Sequence, residues 1–134
     1  MDNSLGTWRL NVEKSKYTPA PFPFKSLSMI RSASDGGVKV TSTGVQADGK
    51  PSNSSYTVKY DGLDCPVTGA PFDIIAMKQV DANTLTVTAR QASGKFRATG
   101  RTVISKDGKT MTTTVSGTDA DGKALSATLV YDKQ

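Results

Sequence analysis

Histidine is missing from this chain altogether, and cysteine nearly so: its 134 residues carry no His and a single Cys, Cys65. Without His the sequence loses the commonest general base and the commonest metal ligand. A structural zinc draws its donors from Cys and His, so one Cys and no His exclude it, and no metal site is expected. A lone thiol closes no internal disulfide, which leaves the redox compartment undecided. Long apolar runs are also lacking. None approaches the roughly 20 residues a membrane helix needs, so no integral membrane association is expected. No segment sustains a helical period, which argues against any long helix.

The remaining composition is that of a folded protein. Apolar residues make up 36% of the chain, and charged residues 22%, too balanced for a disordered segment. The length fits one domain, 1–134, with a core that stands without disulfide or metal. A net charge of +5 is modest. It is mildly favourable to acidic partners and equally suited to plain solubility. Lys95, Arg97 and Arg101 form a basic stripe, but no aromatic side chains are interleaved to stack on bases, so no nucleic-acid partner is expected.

What is abundant is alternation. Thr and Val recur at strand spacing between Asp-Gly and Asn turns, in which Asp bonds its own turn and Gly takes positive φ cheaply. The pattern predicts strands over Leu5–Val12, Ser26–Ser34, Val38–Gln46, Ser52–Tyr60, Asp73–Val80, Thr84–Gln91, Lys95–Ser105, Thr110–Thr118 and Ala124–Asp132. Glu13–Lys25 carries Pro19, Pro21 and Pro23 and reads as a loop or short lid. Leu63–Phe72 reads as irregular. Sequential hairpins of this kind predict an all-β fold, a single closed or nearly closed up-and-down antiparallel β-barrel of about 8–10 strands, because closure removes the edges. A flattened sandwich is the competing architecture. Gly44–Lys50 resembles Gly117–Lys123, and each stretch precedes a strand ending in Tyr-Asp. One hairpin chemistry used twice is the preferred account, with duplication as the alternative.

Parity sorts the side chains into an inner and an outer face. Trp8 and Leu10 share a face, as do Leu85, Val87 and Ala89; Phe96, Ala98, Gly100, Thr102 and Ile104; Met111, Thr113 and Val115; and Leu125, Ala127, Leu129 and Tyr131. Tyr56, Val58 and Tyr60 line up on another strand. Ile74 to Met77 are apolar on both parities. On the strand from Ser26, Arg31 falls on the same face as Leu27 and Met29. A cation inside an apolar barrel is costly unless paired, and Arg is a natural bidentate clamp for a carboxylate. The reading preferred from sequence nonetheless places Arg31 near the rim with its stem reaching to water. Small residues at Ala89, Ala98, Gly100 and Ala127 leave room for a ligand cavity, or else alternate with large ones to fill a tapering barrel.

These residues carry a resemblance. The Gly6-Thr7-Trp8-Arg9-Leu10 start, the hairpin ladder and the Val130-Tyr131-Asp132-Lys133 ending resemble the calycins, the lipocalins and fatty-acid-binding proteins. The likeness is strongest to small bacterial lipocalin-like proteins, through Gly-Thr-Trp followed by Leu10-Asn11, Tyr60-Asp61-Gly62 and Pro66-Val67-Thr68-Gly69. It implies a lipocalin-like barrel with Trp8 across the closed end and small hydrophobic ligands inside. Fatty-acid-binding proteins hold a carboxylate with an Arg and a Tyr two apart on the last strand. Tyr131 matches that Tyr, but Leu129 stands where the Arg belongs, and the helical lid of that family has no counterpart here. Relatives of the bacterial type are often exported. No leader is visible, and Met1 stands directly before a domain-like start, so a removed leader would place the protein in the periplasm or outside the cell; the alternative is cytoplasmic.

Three functions follow from this reading. The first is binding or transport of a small apolar or amphipathic molecule, with Arg31, Tyr56, Tyr60, Met77, Phe96, Met111, Leu129 and Tyr131 as the lining and no cofactor. The second is a small barrel enzyme of the cyclase or isomerase type, in which a Tyr beside a cation donates a proton or steadies an enolate. That reading requires Tyr56, Tyr60 and Tyr131 to converge. The third is a filled barrel serving a structural or interaction role. Cys65 precedes Pro66 with no His to activate it, so it is not read as a nucleophile. Asp61, Asp64 and Asp73 match no calcium loop and read as turn residues.

Overall fold

The computed structural model describes residues 3–134. Eleven strands run in chain order: β1 Gly6–Leu10, β2 Lys16–Thr18, β3 Phe24–Ser34, β4 Gly37–Gln46, β5 Pro51–Lys59, β6 Cys65–Thr68, β7 Ile74–Asp81, β8 Thr84–Arg90, β9 Arg97–Ile104, β10 Thr110–Thr118 and β11 Ala124–Lys133. A single 3-10 turn, Val12–Lys14, is the only helical element among the described residues. Ten strands close a ring, with β1 paired to β3 on one side and to β11 on the other, all antiparallel. The extra strand, β2, adds to β11 through Tyr17↔Ala127. The ring is closed, as the hairpin ladder predicts, and the sandwich alternative is set aside.

Two strands lie in segments that the sequence pattern marks as irregular. β2 occupies part of the Pro-rich Glu13–Lys25 stretch, and β6 part of Leu63–Phe72. Both are too short to show a period, and Pro66 sits within β6. They differ in role. β2 lies outside the ring, whereas β6 is the link between β5 and β7, held by Ser55↔Thr68 and Tyr56↔Val67 on one side and by Cys65↔Ile75 and Pro66↔Ile74 on the other. Phe96 falls just ahead of β9 rather than on it; its backbone N–H donates to Gln91 Oε1 at 3.1 Å.

The Gly44–Lys50 and Gly117–Lys123 echo is turn chemistry. In one loop Gln46 N–H donates to Lys50 O at 2.8 Å and Gly49 N–H to Gln46 O at 3.0 Å; in the other Asp119 N–H donates to Lys123 O at 2.8 Å and Gly122 N–H to Asp119 O at 3.0 Å. Gly49 and Gly122 take φ of +86° and +83°, where a Cβ is strained.

Strand direction sorts the loops into two ends. At one end lie the β3–β4, β7–β8 and β9–β10 turns, and Asn3 Nδ2 donates to Asn83 Oδ1 there at 2.6 Å. Trp8 closes this end. It is 0% exposed, and its Nε1–H donates to the Ser4 carbonyl at 2.9 Å. Lys133 Nζ stands 5.1 Å from the ring centroid, a cation–π contact. At the other end lie the Pro19–Pro23 loop and the β4–β5, β8–β9 and β10–β11 turns, with Ala47 N–H donating to Pro23 O at 2.9 Å. Aromatic rings gather there: Tyr17 meets Phe22 edge to face at 6.4 Å, and Phe72 stacks on Phe96 at 5.6 Å.

The interior divides into three apolar groups. One wall carries Val38, Val40, Val58, Val67, Ile75, Met77, Leu85 and Val87. The opposite wall carries Trp8, Leu10, Leu27, Ile104, Met111 and Tyr131. Ala89, Phe96, Ala98 and Leu125 pack with Tyr17 and Phe72 toward the aromatic end. The ambiguous parity of β7 resolves with Ile75 and Met77 in the core. Gly100 does not leave the room that its small size suggests. A Cβ there would fall 1.7 Å from the Thr114 carbonyl oxygen, so glycine serves the close approach of β9 to β10.

Candidate functional site

Arg31 is the polar residue that the fold treats most unusually. Register places it opposite Gly6 on β1 and Val40 on β4, and Val40 in turn faces Tyr56 on β5. Alternation from Leu27 and Met29 turns its side chain inward, as parity predicts. The rim placement preferred from sequence is corrected: Arg31 is 4% exposed. Its Nη1 donates to Met29 Sδ at 3.8 Å, a weak contact. Nε and Nη2 are shut off from solvent and have no hydrogen-bond acceptor. No Asp or Glu side chain is buried among the described residues, so no carboxylate neutralises the charge from within.

Two phenols approach this guanidinium from different strands. Tyr56 reaches in from β5 and Tyr131 from β11, where Tyr131 is buried against Leu10 and Met111. Burial pushes the Tyr56 hydroxyl above its usual range, while the charge and hydrogen bonding of Arg31 pull the other way. Tyr131 is pushed far higher, by burial first and by the neighbouring Tyr56 second, with Arg31 again opposing. Both phenols therefore stay protonated at neutral pH. The cluster consists of a guanidinium and two hydroxyls that offer hydrogens, set in an apolar surround.

The other residues predicted to line a site are distributed more widely. Tyr60 shares a strand face with Tyr56 but reaches the closed end, where its hydroxyl lies 3.4 Å from Ser4 Oγ. The three tyrosines thus do not converge as a group; two do. Met77 belongs to the wall beside Tyr56, Met111 to the wall beside Tyr131, and Leu129 packs half-buried against the latter. Phe96 lies apart, stacked on Phe72 at the aromatic end. Polar residues outside that set also face inward. Ser42 is buried on the same face of β4 as Val40, and Thr102 is buried with its hydroxyl 2.9 Å from that of Thr113. The alternation of Val38 and Val40 with Ser42, and of Thr102 with Ile104, is the signal that locates them.

Two grooves lie on the outside of the ring. One, of about 780 Å³, is lined by Lys16, Thr99, Arg101, Thr112, Thr114 and Thr128, which are outward positions of β2, β9, β10 and β11. The other, of about 370 Å³, follows the β5–β6 seam past Lys59, Asp61, Leu63 and Cys65. Neither is lined by Arg31, Tyr56 or Tyr131. Cys65 Sγ meets the Leu63 carbonyl at 3.8 Å, and the thiol has no basic partner. Asp61 accepts the Leu63 N–H in its own turn, as expected, whereas Asp64 pairs with Arg90 at 2.9 Å on the surface and Asp73 accepts the N–H of Ala92 from the β8–β9 loop, so turn chemistry does not account for these two. Among the described residues no group of acidic or thiol side chains is placed to hold a metal, and no helix is long and apolar enough to cross a membrane.

No family model and no curated protein matches the chain. The closed ten-stranded antiparallel barrel is consistent with a calycin-like fold.

Proposed function

We propose that the barrel is a binding module that takes a small amphipathic molecule inside, with its polar head at Arg31, Tyr56 and Tyr131 and its apolar body along Met77, Met111 and Leu129. The observation that carries this reading is the buried guanidinium without a protein acceptor. A charge held in an apolar interior costs several kcal/mol unless something answers it, and nothing on the surrounding strands does. Such a group costs folding energy for no structural return, which is the usual signature of a functional site. Binding is favoured over catalysis because the phenols are held protonated, which suits donation to a bound head and not proton transfer near neutral pH. Phe96 and its stacked partner Phe72 then belong to the entrance, and Tyr60 to the floor. On the strength of the resemblance, we read the chain as lipocalin-like and bacterial, and exported to the periplasm or beyond.

The test is a thermal-shift and calorimetric panel of apolar and amphipathic compounds on the intact protein. A binder present at about a hundred times its Kd stabilises the fold by about 2.7 kcal/mol. Saturable binding with a rise in Tm is the expected result, and native mass spectrometry of protein purified from its own host should show the bound mass. A panel with no binder, and no co-purified molecule, overturns the reading.

A further inference from the structure

We infer that Met29 is an oxidation site built into the barrel, where hydrogen peroxide converts the thioether to a sulfoxide whose oxygen takes the Arg31 guanidinium and withdraws it from the interior site. The oxidation and its effect on the fold stand on the geometry around Arg31; the effect on binding rests on the binding reading above.

Three observations single out this sulfur. The first is its place. Met29 lies opposite Trp8 on β1 and Ser42 on β4, and it packs against both apolar walls. β3 runs from the aromatic end to the closed end, so Met29 stands one inward step nearer the mouth than Arg31. The second is access. Met77 and Met111 are 4% and 1% exposed, whereas Met29 is half-buried although its side chain turns inward. A molecule near the size of water therefore reaches this sulfur through the lumen, and hydrogen peroxide is such a molecule. The third is what the sulfur touches. Sδ accepts from Arg31 Nη1 at 3.8 Å, while Nε and Nη2 of the same group have no acceptor. A thioether is a weak acceptor. A sulfoxide oxygen at the same place is a strong one, beside a guanidinium that is short of partners.

In the reaction a lone pair on Sδ attacks one oxygen of the peroxide, and the O–O bond breaks. The departing hydroxide takes the proton of the transferred oxygen and leaves as water. Sulfur loses two electrons and the peroxide gains them. Elsewhere in a core such an oxygen is disruptive, because it is polar and unanswered. Beside Arg31 it meets a donor already in want of an acceptor, so the fold tolerates it. The same oxygen stands on the side of the guanidinium from which a ligand head arrives. Methionine sulfoxide reductases return the thioether, so the change is reversible.

The experiment is limited hydrogen peroxide treatment of the intact protein, stripped of co-purified molecules by refolding. It is followed by peptide mass mapping, thermal unfolding and titration with the fluorescent amphiphile anilinonaphthalene sulfonate. Met29 should gain one oxygen at least about tenfold faster than Met77 or Met111, which react only through local opening. Tm of the unaltered protein should hold or rise on oxidation, while in Arg31→Leu the same oxygen, now without its donor, should lower Tm by about 3 °C or more. Affinity for the dye should drop at least about tenfold in the oxidised unaltered protein. Met29→Leu should show neither the Tm response nor the dye response. Met29 reacting no faster than the two core methionines refutes the site. An equal fall of Tm in the unaltered protein and in Arg31→Leu refutes the contact with the guanidinium; should Arg31→Leu fail to fold, a fall of several degrees in the unaltered protein refutes it alone. Unchanged dye affinity after full conversion of Met29 refutes the withdrawal of Arg31. If the dye binds neither form and the wider panel also fails, the binding reading falls and the effect on binding with it, while the mass and Tm results still decide the oxidation site.

Discussion

Replacing Arg31 with methionine should make the ligand-free barrel more stable, not less. The side chain is almost wholly buried, and two of its three nitrogens lack an acceptor. Exchanging buried charged groups for apolar ones of similar volume commonly gains about 1–4 kcal/mol. Met has a comparable unbranched stem and fills the same channel beside Met29. The expected gain is therefore about 1–4 kcal/mol. For a chain of this length each kcal/mol moves Tm by roughly 3–5 °C, so the shift is roughly +3 to +20 °C. The assay is thermal unfolding followed by circular dichroism on protein refolded from denaturant, which strips any co-purified molecule. Adding a binder identified in the panel should then reverse the ranking, because it stabilises the unaltered protein and not the variant. A fall of several degrees in stripped Arg31→Met, with near-UV signals intact, would show that the guanidinium is already satisfied in the folded state and that the reasoning from its missing acceptor is wrong.

Other outcomes follow from the same interior. Trp8→Phe should lose the bond to the Ser4 carbonyl and cost about 1 kcal/mol, whereas Trp8→Ala should cost about 3–5 kcal/mol in urea titrations. Tyr131 and Tyr56 have folded-state pKa values raised above the unfolded value of about 10. Their contribution is fully present below that pH, and it is lost as pH rises because the unfolded chain ionises first. Stability should therefore fall as pH rises above about 10, and Tyr131→Phe should flatten that fall; an unchanged slope in the variant would remove Tyr131 from the account.

Much of the vessel can be read from alternation alone. Trp8 with Leu10, Leu85 with Val87 and Ala89, and Leu125 with Ala127 and Tyr131 all face inward, because a strand has only two faces and one of them must be dry. β2 and β6 escape this reading, since three or four residues show no period and the adjoining prolines point to a loop. Gly100 misleads because small size has two causes, open space and close backbone approach, and only coordinates tell them apart. The site is less legible than the walls. Parity brings Arg31 inward but does not fix its depth, which depends on how far each strand runs past its neighbours. Tyr60 shows the same limit: it has the parity of Tyr56 but lies nearer the floor, enough to send its hydroxyl to Ser4. Burial of the guanidinium without an acceptor is a property of the assembled ring, and no segment of sequence displays it.

The seam between β1 and β11 has a kinetic consequence. Leu10 meets Tyr131 across it, and Thr7 O accepts from Gln134 N–H at 2.9 Å, so the pairings that close the ring join the most distant parts of the chain. Pairings of long sequence separation form late and slow the folding of β proteins. Hairpins such as β3–β4 and β7–β8 need no such loop to form, yet Arg31 and Tyr131 lie on opposite sides of the seam. The donor cluster therefore comes into being only when the circle is zipped, which makes acquisition of binding a direct clock for ring closure, separable in time from the appearance of strand signal.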